Sequence, residues 1–173
     1  MIVVGIDQHA PPHTLGSTHG DTRVTRRATA EGAAYVPLAI RSHELWRDIE
    51  AATSTDILTE CGVLMVGPAA VGGSMHGVDD WVAATAELAD RFGIDHELLD
   101  GAAARSRVPL LAVDDDARAY YEPGGGFVRP EAAVTAQLEL ARRLGATIRT
   151  NERVLELAST AGGVELRTTA GRL

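Results

Sequence analysis

The sequence predicts an α/β chain, and three stretches carry that prediction. The opening β-branched run Ile2-Val3-Val4-Gly5-Ile6, closed by Asp7, reads as a fully buried parallel strand. Pro130 stands at the first position of a helix that runs to Leu144 and stops at Gly145. Strands at Thr147–Thr150, Arg153–Leu157 and Val164–Thr168 follow that helix, the last two joined by the turn Ala161-Gly162-Gly163.

Between these ends the elements alternate. Gln8–Gly20 is a loop rich in Pro, His, Gly and Ser. From Asp21, a candidate N-cap, the pattern becomes helical. A clearer helix follows Pro37, with Leu38, Leu45, Trp46 and Ile49 on its apolar face and Arg41, Glu44, Arg47 and Asp48 on its polar one. Ile57–Thr59 and Val63–Val66 read as strands around Cys61-Gly62, ended by Gly67-Pro68. A helix over Val78–Arg91 precedes a strand at Ile94–Leu99. Val108–Val113 and Ala119–Glu122 read as extended, separated by the acidic turn Asp114-Asp115-Asp116.

Composition narrows the function classes. The 173 residues suit one domain or incomplete parts of two, and aromatics at 4% leave Ala and Val to fill much of the core. A net charge of −8 argues against nucleic acid, which needs a clustered positive face. All 16 basic residues are arginine, so chemistry that needs a lysine base or Schiff base is closed to this segment. The single cysteine, Cys61, admits no intrachain disulfide and reads as a small buried residue in a reducing, cytoplasmic setting. No apolar run reaches the roughly 18 residues of a membrane-spanning helix. His43, His76 and His96 read as surface residues.

Chemistry concentrates in Pro11–Arg26, where glycines, hydroxyls, His13, His19, Arg23 and Arg26 crowd one loop-to-helix junction. Arginines at i and i+3 share a helix face, and the N–H groups of such a junction favour anions. That pattern suits a carboxylate, a phosphate or an electron-rich ring, and it equally suits a solvated basic face. His9, His13 and His19, flanked by Asp7 and Asp21, match no common zinc spacing, so no metal is expected.

The same stretch resembles the monomeric sarcosine oxidase / N-methyltryptophan oxidase family. The shared string includes Pro-Pro-His-Thr, Gly-Ser-x-His-Gly-Asp-Thr-Arg-x-x-Arg and Glu31-Gly32-x-x-Tyr35-Val36-Pro37-Leu38. Similarity continues through Arg41-Ser42-x-Glu44-Leu45-Trp46, Gly62-Val63-Leu64-x-Val66-Gly67-Pro68, Tyr121-Glu122-Pro123, Gly126-Phe127-Val128, Gly145-Ala146 and Arg153-Val154. The resemblance implies a partial FAD-binding, Rossmann-like α/β domain interleaved with part of an α+β, mixed-sheet substrate domain. Residues 1–60 and 129–173 would belong to the former and 61–128 to the latter.

It also implies roles. Asp7 corresponds to the acidic residue that bonds the FAD ribose, a task for a carboxylate at a strand end; a plain strand-end turn is the other reading. Ser17, His19, Thr22 and Arg23 correspond to the flavin-contacting loop, with His19 and Arg23 as the catalytic pair. A unit charge about 4 Å from the ring at an effective dielectric of 20 is worth roughly 4 kcal/mol. Arg26 corresponds to the residue that grips the substrate carboxylate. Val154 corresponds to the strand residue whose backbone meets the adenine, and an ordinary core valine is its alternative.

The implied reaction is oxidation of the C–N bond of an N-methyl or cyclic secondary amino acid, with O2 as oxidant and H2O2 and an aldehyde as products. Because a neutral amine donates the hydride, rates are expected to rise with pH. The Gly-x-Gly-x-x-Gly turn of dinucleotide domains does not occur before the first strand, and the family's catalytic lysine, pocket tyrosine and histidine and flavin-linking cysteine have no counterpart. The expectation is therefore an internal fragment with weak FAD affinity, the alternative being an inactive scaffold.

Overall fold

The structure is a computed structural model that describes residues 2–67 and 77–173. In chain order the elements are β1 Val4–Ile6, β2 Arg23–Thr25, α1 Val36–Thr53, β3 Leu58–Glu60, β4 Val63–Gly67, α2 Trp81–Phe92, β5 Glu97–Asp100 and α3 Gly101–Arg107. They continue with β6 Arg118–Glu122, β7 Gly126–Val128, α4 Pro130–Arg143, β8 Thr147–Arg149, β9 Val154–Thr160, β10 Gly163–Thr168 and β11 Gly171–Arg172. Two compact units result: Met1–Asp21 with Asp48–Ile57 and Arg129–Leu173, and Thr22–Arg47 with Leu58–Val128.

The first unit pairs β1 with β8 in parallel, Val4 opposite Thr147 and Ile6 opposite Arg149. The predicted direction of this strand is therefore observed, but its complete burial is not. Ile2, Val3 and Val4 are 93, 43 and 45% exposed, and among the described residues β8 is the one strand paired with this run. α4 behaves as its sequence dictates: Pro130 opens it, and Gly145 beyond its end adopts φ 90°, a left-handed conformation that suits glycine. Its inner face is Ala133 and Ala136, both buried. β9, β10 and β11 form an antiparallel meander.

The second unit contains two antiparallel sheets, ordered β2-β7-β3 and β4-β6-β5. Its core gathers Ala28, Val36, Trp81, Val82, Ala86, Ala89, Ile94 and Tyr120, the alanine-rich packing that the scarcity of aromatics foretold. α2 begins at Asp80, whose side chain accepts from Ala83 N, and ends at Gly93 in the left-handed region. β7 is the centre of its sheet and demands glycine at position 126. A Cβ there would stand 1.9 Å from the Thr59 carbonyl oxygen on β3.

Several expectations are corrected here. Arg23–Thr25 is a strand rather than the start of a helix, because β-branched Val24 and Thr25 pair with Phe127 and Gly126 of β7. Arg23 and Arg26 therefore do not share a helical face. α1 forms as predicted but turns another side inward: Val36 and His43 are buried, while Leu38 and Leu45 are 66 and 44% exposed. Residues 101–107, which carry no strong apolar period, form α3 because Asp100 caps them by accepting from Ala103 N. Val108–Val113 is consequently a turn rather than a strand. Cys61, expected to be buried, lies exposed in the two-residue break between β3 and β4. His96 is half-buried and stacked on Tyr120, while His76 and Pro68 lie outside the described residues.

His43, expected at the surface, is the largest correction: it is buried against Thr25, beside the ion pairs of Glu60. Glu60 at the end of β3 accepts from Arg27 Nη2 at 2.6 Å and from Arg47 Nη2 at 2.8 Å. The inner side of α1 beside this pair is closed by His43, whose Nε2 lies 3.0 Å from Thr25 Oγ1. Its Nδ1 is buried without a hydrogen-bond partner, 4.0 Å from Glu60 Oε1. Burial, aided by the Arg27 charge, lowers the His43 pKa below its ordinary 6.5. Hydrogen bonding from Arg47, then from Arg27, lowers that of Glu60 below 4.5.

Two predictions follow from this architecture. Gly126→Ala forces β7 away from β3 and lowers stability by about 1–3 kcal/mol, read as a lower urea midpoint; an unchanged midpoint would mean that the sheet absorbs the methyl group. For His43, the folded state prefers the neutral ring, so its contribution is complete above pH 6.5 and is lost as pH falls below 6.5 towards the folded value. The Glu60 contribution is lost in a separate window, below 4.5. Urea unfolding between pH 7.5 and 5 should show a decline that His43→Gln flattens; equal slopes in both proteins would clear His43 as its source.

Candidate functional site

Asp7 follows directly on β1, at the carboxyl end of the parallel pair. Its amide donates to Arg149 O at 2.9 Å, and its carbonyl accepts from Glu152 N at 3.0 Å, so the backbone is tied to β8 and the turn beyond it. Its Oδ1 accepts from His9 N at 2.8 Å and lies 3.6 Å from His13 Nε2. Oδ2 has no protein partner among the described residues. One carboxylate oxygen is thus locked by a local turn while the other can accept from a ligand hydroxyl. The strand-end turn, one of the two readings of Asp7, is thus present.

The neighbourhood of Asp7 is polar and fastened. Glu152 is buried, accepts from Thr168 Oγ1 at 2.5 Å and lies 3.5 Å from Arg149 Nη1. His9 and His13 meet edge to face with ring centroids 5.0 Å apart. Among the described residues no cluster of three His, Cys, Asp or Glu side chains could hold a metal ion. Further along the loop, Ser17 and His19 are exposed, and Gly20 N donates to Glu131 Oε1 in the first turn of α4.

Val154 opens β9 and is 43% exposed, which corrects the reading of it as a core valine. Arg153 N donates to Thr169 Oγ1 and Arg153 O accepts from Thr169 N. Because backbone groups alternate along a strand, the N–H and C=O of Val154 point to the opposite, unpaired edge of the sheet. That edge offers a donor and an acceptor side by side, as a nucleobase requires.

In the second unit, Thr22 and Arg23 are exposed at the start of β2, and Arg26 follows the strand's end. Arg26 borders an open groove of about 410 Å³, lined also by Thr25, Glu31, Tyr35, Leu38 and Ser42. Its Nη2 lies 3.5 Å from Glu31 Oε2, a long contact, and its Nε is buried without a hydrogen-bond partner. Its neighbour Arg27 is fully employed by contrast, donating to Gly124 O and Glu60.

The residue that sequence reasoning left without a role is Glu122. It is 0% exposed on β6, its Oε1 accepting from Arg27 N at 2.7 Å and its Oε2 from Ala28 N at 3.1 Å and Tyr120 Oη at 2.9 Å. Burial, then the adjacent Glu122 charge, raises the Tyr120 pKa far above its ordinary value, so the phenol stays protonated as the donor. The only sequence signal was the unassigned motif Tyr121-Glu122-Pro123.

Comparison with known proteins identifies the family of the chain. The profile of the family described as FAD dependent oxidoreductase (DAO) matches residues 2–173. Monomeric sarcosine oxidase of Bacillus sp. (strain B-0618) is 39% identical over 166 residues, covering 96% of this chain and 41% of the relative. N-methyl-L-tryptophan oxidase of Salmonella enteritidis PT4 is 35% identical over 169 residues, covering 98% and 43%. The chain thus spans about two-fifths of the length of the curated relatives it matches. Among solved structures, the open form of NikD, an unusual amino acid oxidase essential for nikkomycin biosynthesis, superposes with a TM-score of 0.81 at 25% identity, covering 99% of this chain and 42% of that one. L-proline dehydrogenase from P. horikoshii shares the fold at a TM-score of 0.73 and 23% identity, over 92% of this chain and 41% of that one. The profile match runs from residue 2 to residue 173, nearly the whole chain: this chain belongs to the FAD dependent oxidoreductase family.

Proposed function

We propose that the protein oxidises the C–N bond of an N-methyl or cyclic secondary amino acid, with O2 reduced to H2O2 and the imine product hydrolysed to an aldehyde. The observation that carries this reading is Arg26: a guanidinium with a buried, unpaired Nε on the wall of a groove large enough for a small amino acid. A guanidinium fork matches a carboxylate in plane and charge. The similarity to sarcosine and N-methyltryptophan oxidases supplies the substrate class.

The chain's residues fit FAD where its adenosine half would rest. Asp7 would accept from ribose hydroxyls through Oδ2, and the Val154 backbone would pair with the adenine edge. The family resemblance assigns Ser17, His19, Thr22 and Arg23 to the flavin ring. Residues 1–60 and 129–173 are assigned to cofactor binding and 61–128 to the substrate domain. FAD, when bound, supplies the two-electron acceptor for the hydride leaving the carbon beside nitrogen. His19 and Arg23 supply polar and positive groups at the ring, and Arg23, always charged, favours added negative charge there. Arg26 orients the substrate through its carboxylate, which leaves the amine nitrogen unconstrained by that ion pair.

Titrating the protein with FAD and following quenching of flavin fluorescence tests the cofactor half. Asp7→Ala should weaken binding by roughly tenfold to a hundredfold, the worth of hydrogen bonds to a charged acceptor; equal affinity would remove Asp7 from the site. H2O2 release with sarcosine or N-methyltryptophan tests the reaction. There Arg26→Gln should raise KM by about a hundredfold, about 3 kcal/mol for a desolvated ion pair. A substrate lacking the carboxylate that is turned over equally well would overturn the reading.

A further inference from the structure

We propose that Glu122 is a positioning residue for substrate binding: its buried carboxylate fixes the backbone after Arg26 and so sets the Arg26 guanidinium in the groove. The inference rests on the reading of Arg26 as the group that binds the substrate carboxylate.

Three observations carry it. Glu122 is fully buried, and two of its three donors are the consecutive amides of Arg27 and Ala28. A carboxylate that receives two successive N–H groups holds both peptide planes, one of which contains the Arg26 carbonyl. On the other side of Arg26, Thr25 Oγ1 meets His43 Nε2 at 3.0 Å, and His43 is 3% exposed. Residue 26 is therefore held at both flanks by buried groups. Its own side chain is the loosely engaged part, with Nη2 3.5 Å from Glu31 and Nε unpaired.

The type of acceptor matters. Arg27 N, Ala28 N and Tyr120 Oη are three donors converging on two oxygens, and Tyr120 is 0% exposed. A glutamine of the same shape replaces one oxygen by NH2, a donor facing a donor. The segment must then shift, and a displacement near 1 Å is enough to spoil a bidentate ion pair. Glu122→Gln thus keeps the volume of the core and changes the placement of Arg26.

The experiment measures steady-state kinetics of the flavin-loaded protein with an N-methyl amino acid for wild type, Glu122→Gln, Arg26→Gln and the double variant. The expected result is a rise in KM of about tenfold for Glu122→Gln with kcat within about twofold, the pattern of lost ground-state binding. In the Arg26→Gln background the same change should add nothing, because both act through one guanidinium. A KM rise of equal size in both backgrounds would overturn the inference, since Glu122 would then act by some route other than Arg26. An unchanged KM in Glu122→Gln alongside a raised KM in Arg26→Gln would also overturn it while leaving the proposed function standing. If Arg26→Gln leaves KM unchanged, it is the proposed function that fails. Should Glu122→Gln not fold, Tyr120→Phe removes a single donor from Oε2, and its KM rise of about twofold to fivefold must again vanish without Arg26; persistence there would overturn the inference.

Discussion

The second unit is organised around one buried negative charge. Bringing a carboxylate out of water costs several kcal/mol even after the protein relaxes, and Glu122 is fully buried. The cost is offset because every donor around it is fixed: two backbone amides and a phenol that burial and the neighbouring charge keep protonated. Hydrogen bonds to a charged group are worth about 1.5–3 kcal/mol each, so three of them compensate a penalty of that size and two need not. The charge therefore tolerates no partial satisfaction. It specifies where the chain after β2 must run, because only that path brings two consecutive N–H groups to β6.

A second carboxylate, Glu60, works in the opposite regime. It is one-third exposed and bridges Arg27 and Arg47, whose guanidiniums also donate to the carbonyls of Gly124 and Leu58. Solvent screens such pairs, so their worth lies in direction more than in energy. Arg27 joins the two regimes, with its amide on Glu122 and its guanidinium on Glu60 and Gly124. A Cβ at Gly124 would stand 1.9 Å from Arg27 Nη1, so a side chain there would displace the guanidinium. The long arm of Arg27 is thereby committed to structure.

What the sequence made legible follows from how local each feature is. α2 and α4 were readable because caps and periodicity lie within the segment: Gly93 and Gly145 mark their ends by left-handed conformations. β2 was misread because its stability comes from β7, about a hundred residues away, and a three-residue strand carries no period of its own. The inward side of α1 was misassigned for a related reason. His43 is inside through its contacts with Thr25 and the Glu60 pair, while Leu38 and Leu45 remain exposed, an arrangement that hydrophobicity alone cannot anticipate. Asp7 and Arg26 were singled out through the family resemblance that the unusual string from Pro11 onward carries. Glu122 appeared in a motif, but nothing in Tyr121-Glu122-Pro123 says that its carboxylate meets amides 94 and 95 residues earlier.

The contrast among arginines supports the proposal that Arg26, and not Arg27, takes the ligand. Arg27 spends its guanidinium on a carbonyl and a carboxylate at 2.6–2.7 Å, and a substrate carboxylate would have to break those bonds to reach it. Arg26, one residue before, has a buried Nε with no acceptor and only a 3.5 Å contact to Glu31. On the proposed reading, an incoming carboxylate meets a guanidinium whose ion pair with Glu31 is long, at 3.5 Å, and so displaces less than it would at Arg27. That advantage exists only while the backbone keeps the guanidinium on the wall of the groove. The saturation of Arg27, Ala28 and Tyr120 around Glu122 and the looser engagement of Arg26 are thus two sides of one arrangement, in which a satisfied network holds the backbone that carries the groove-lining arginine.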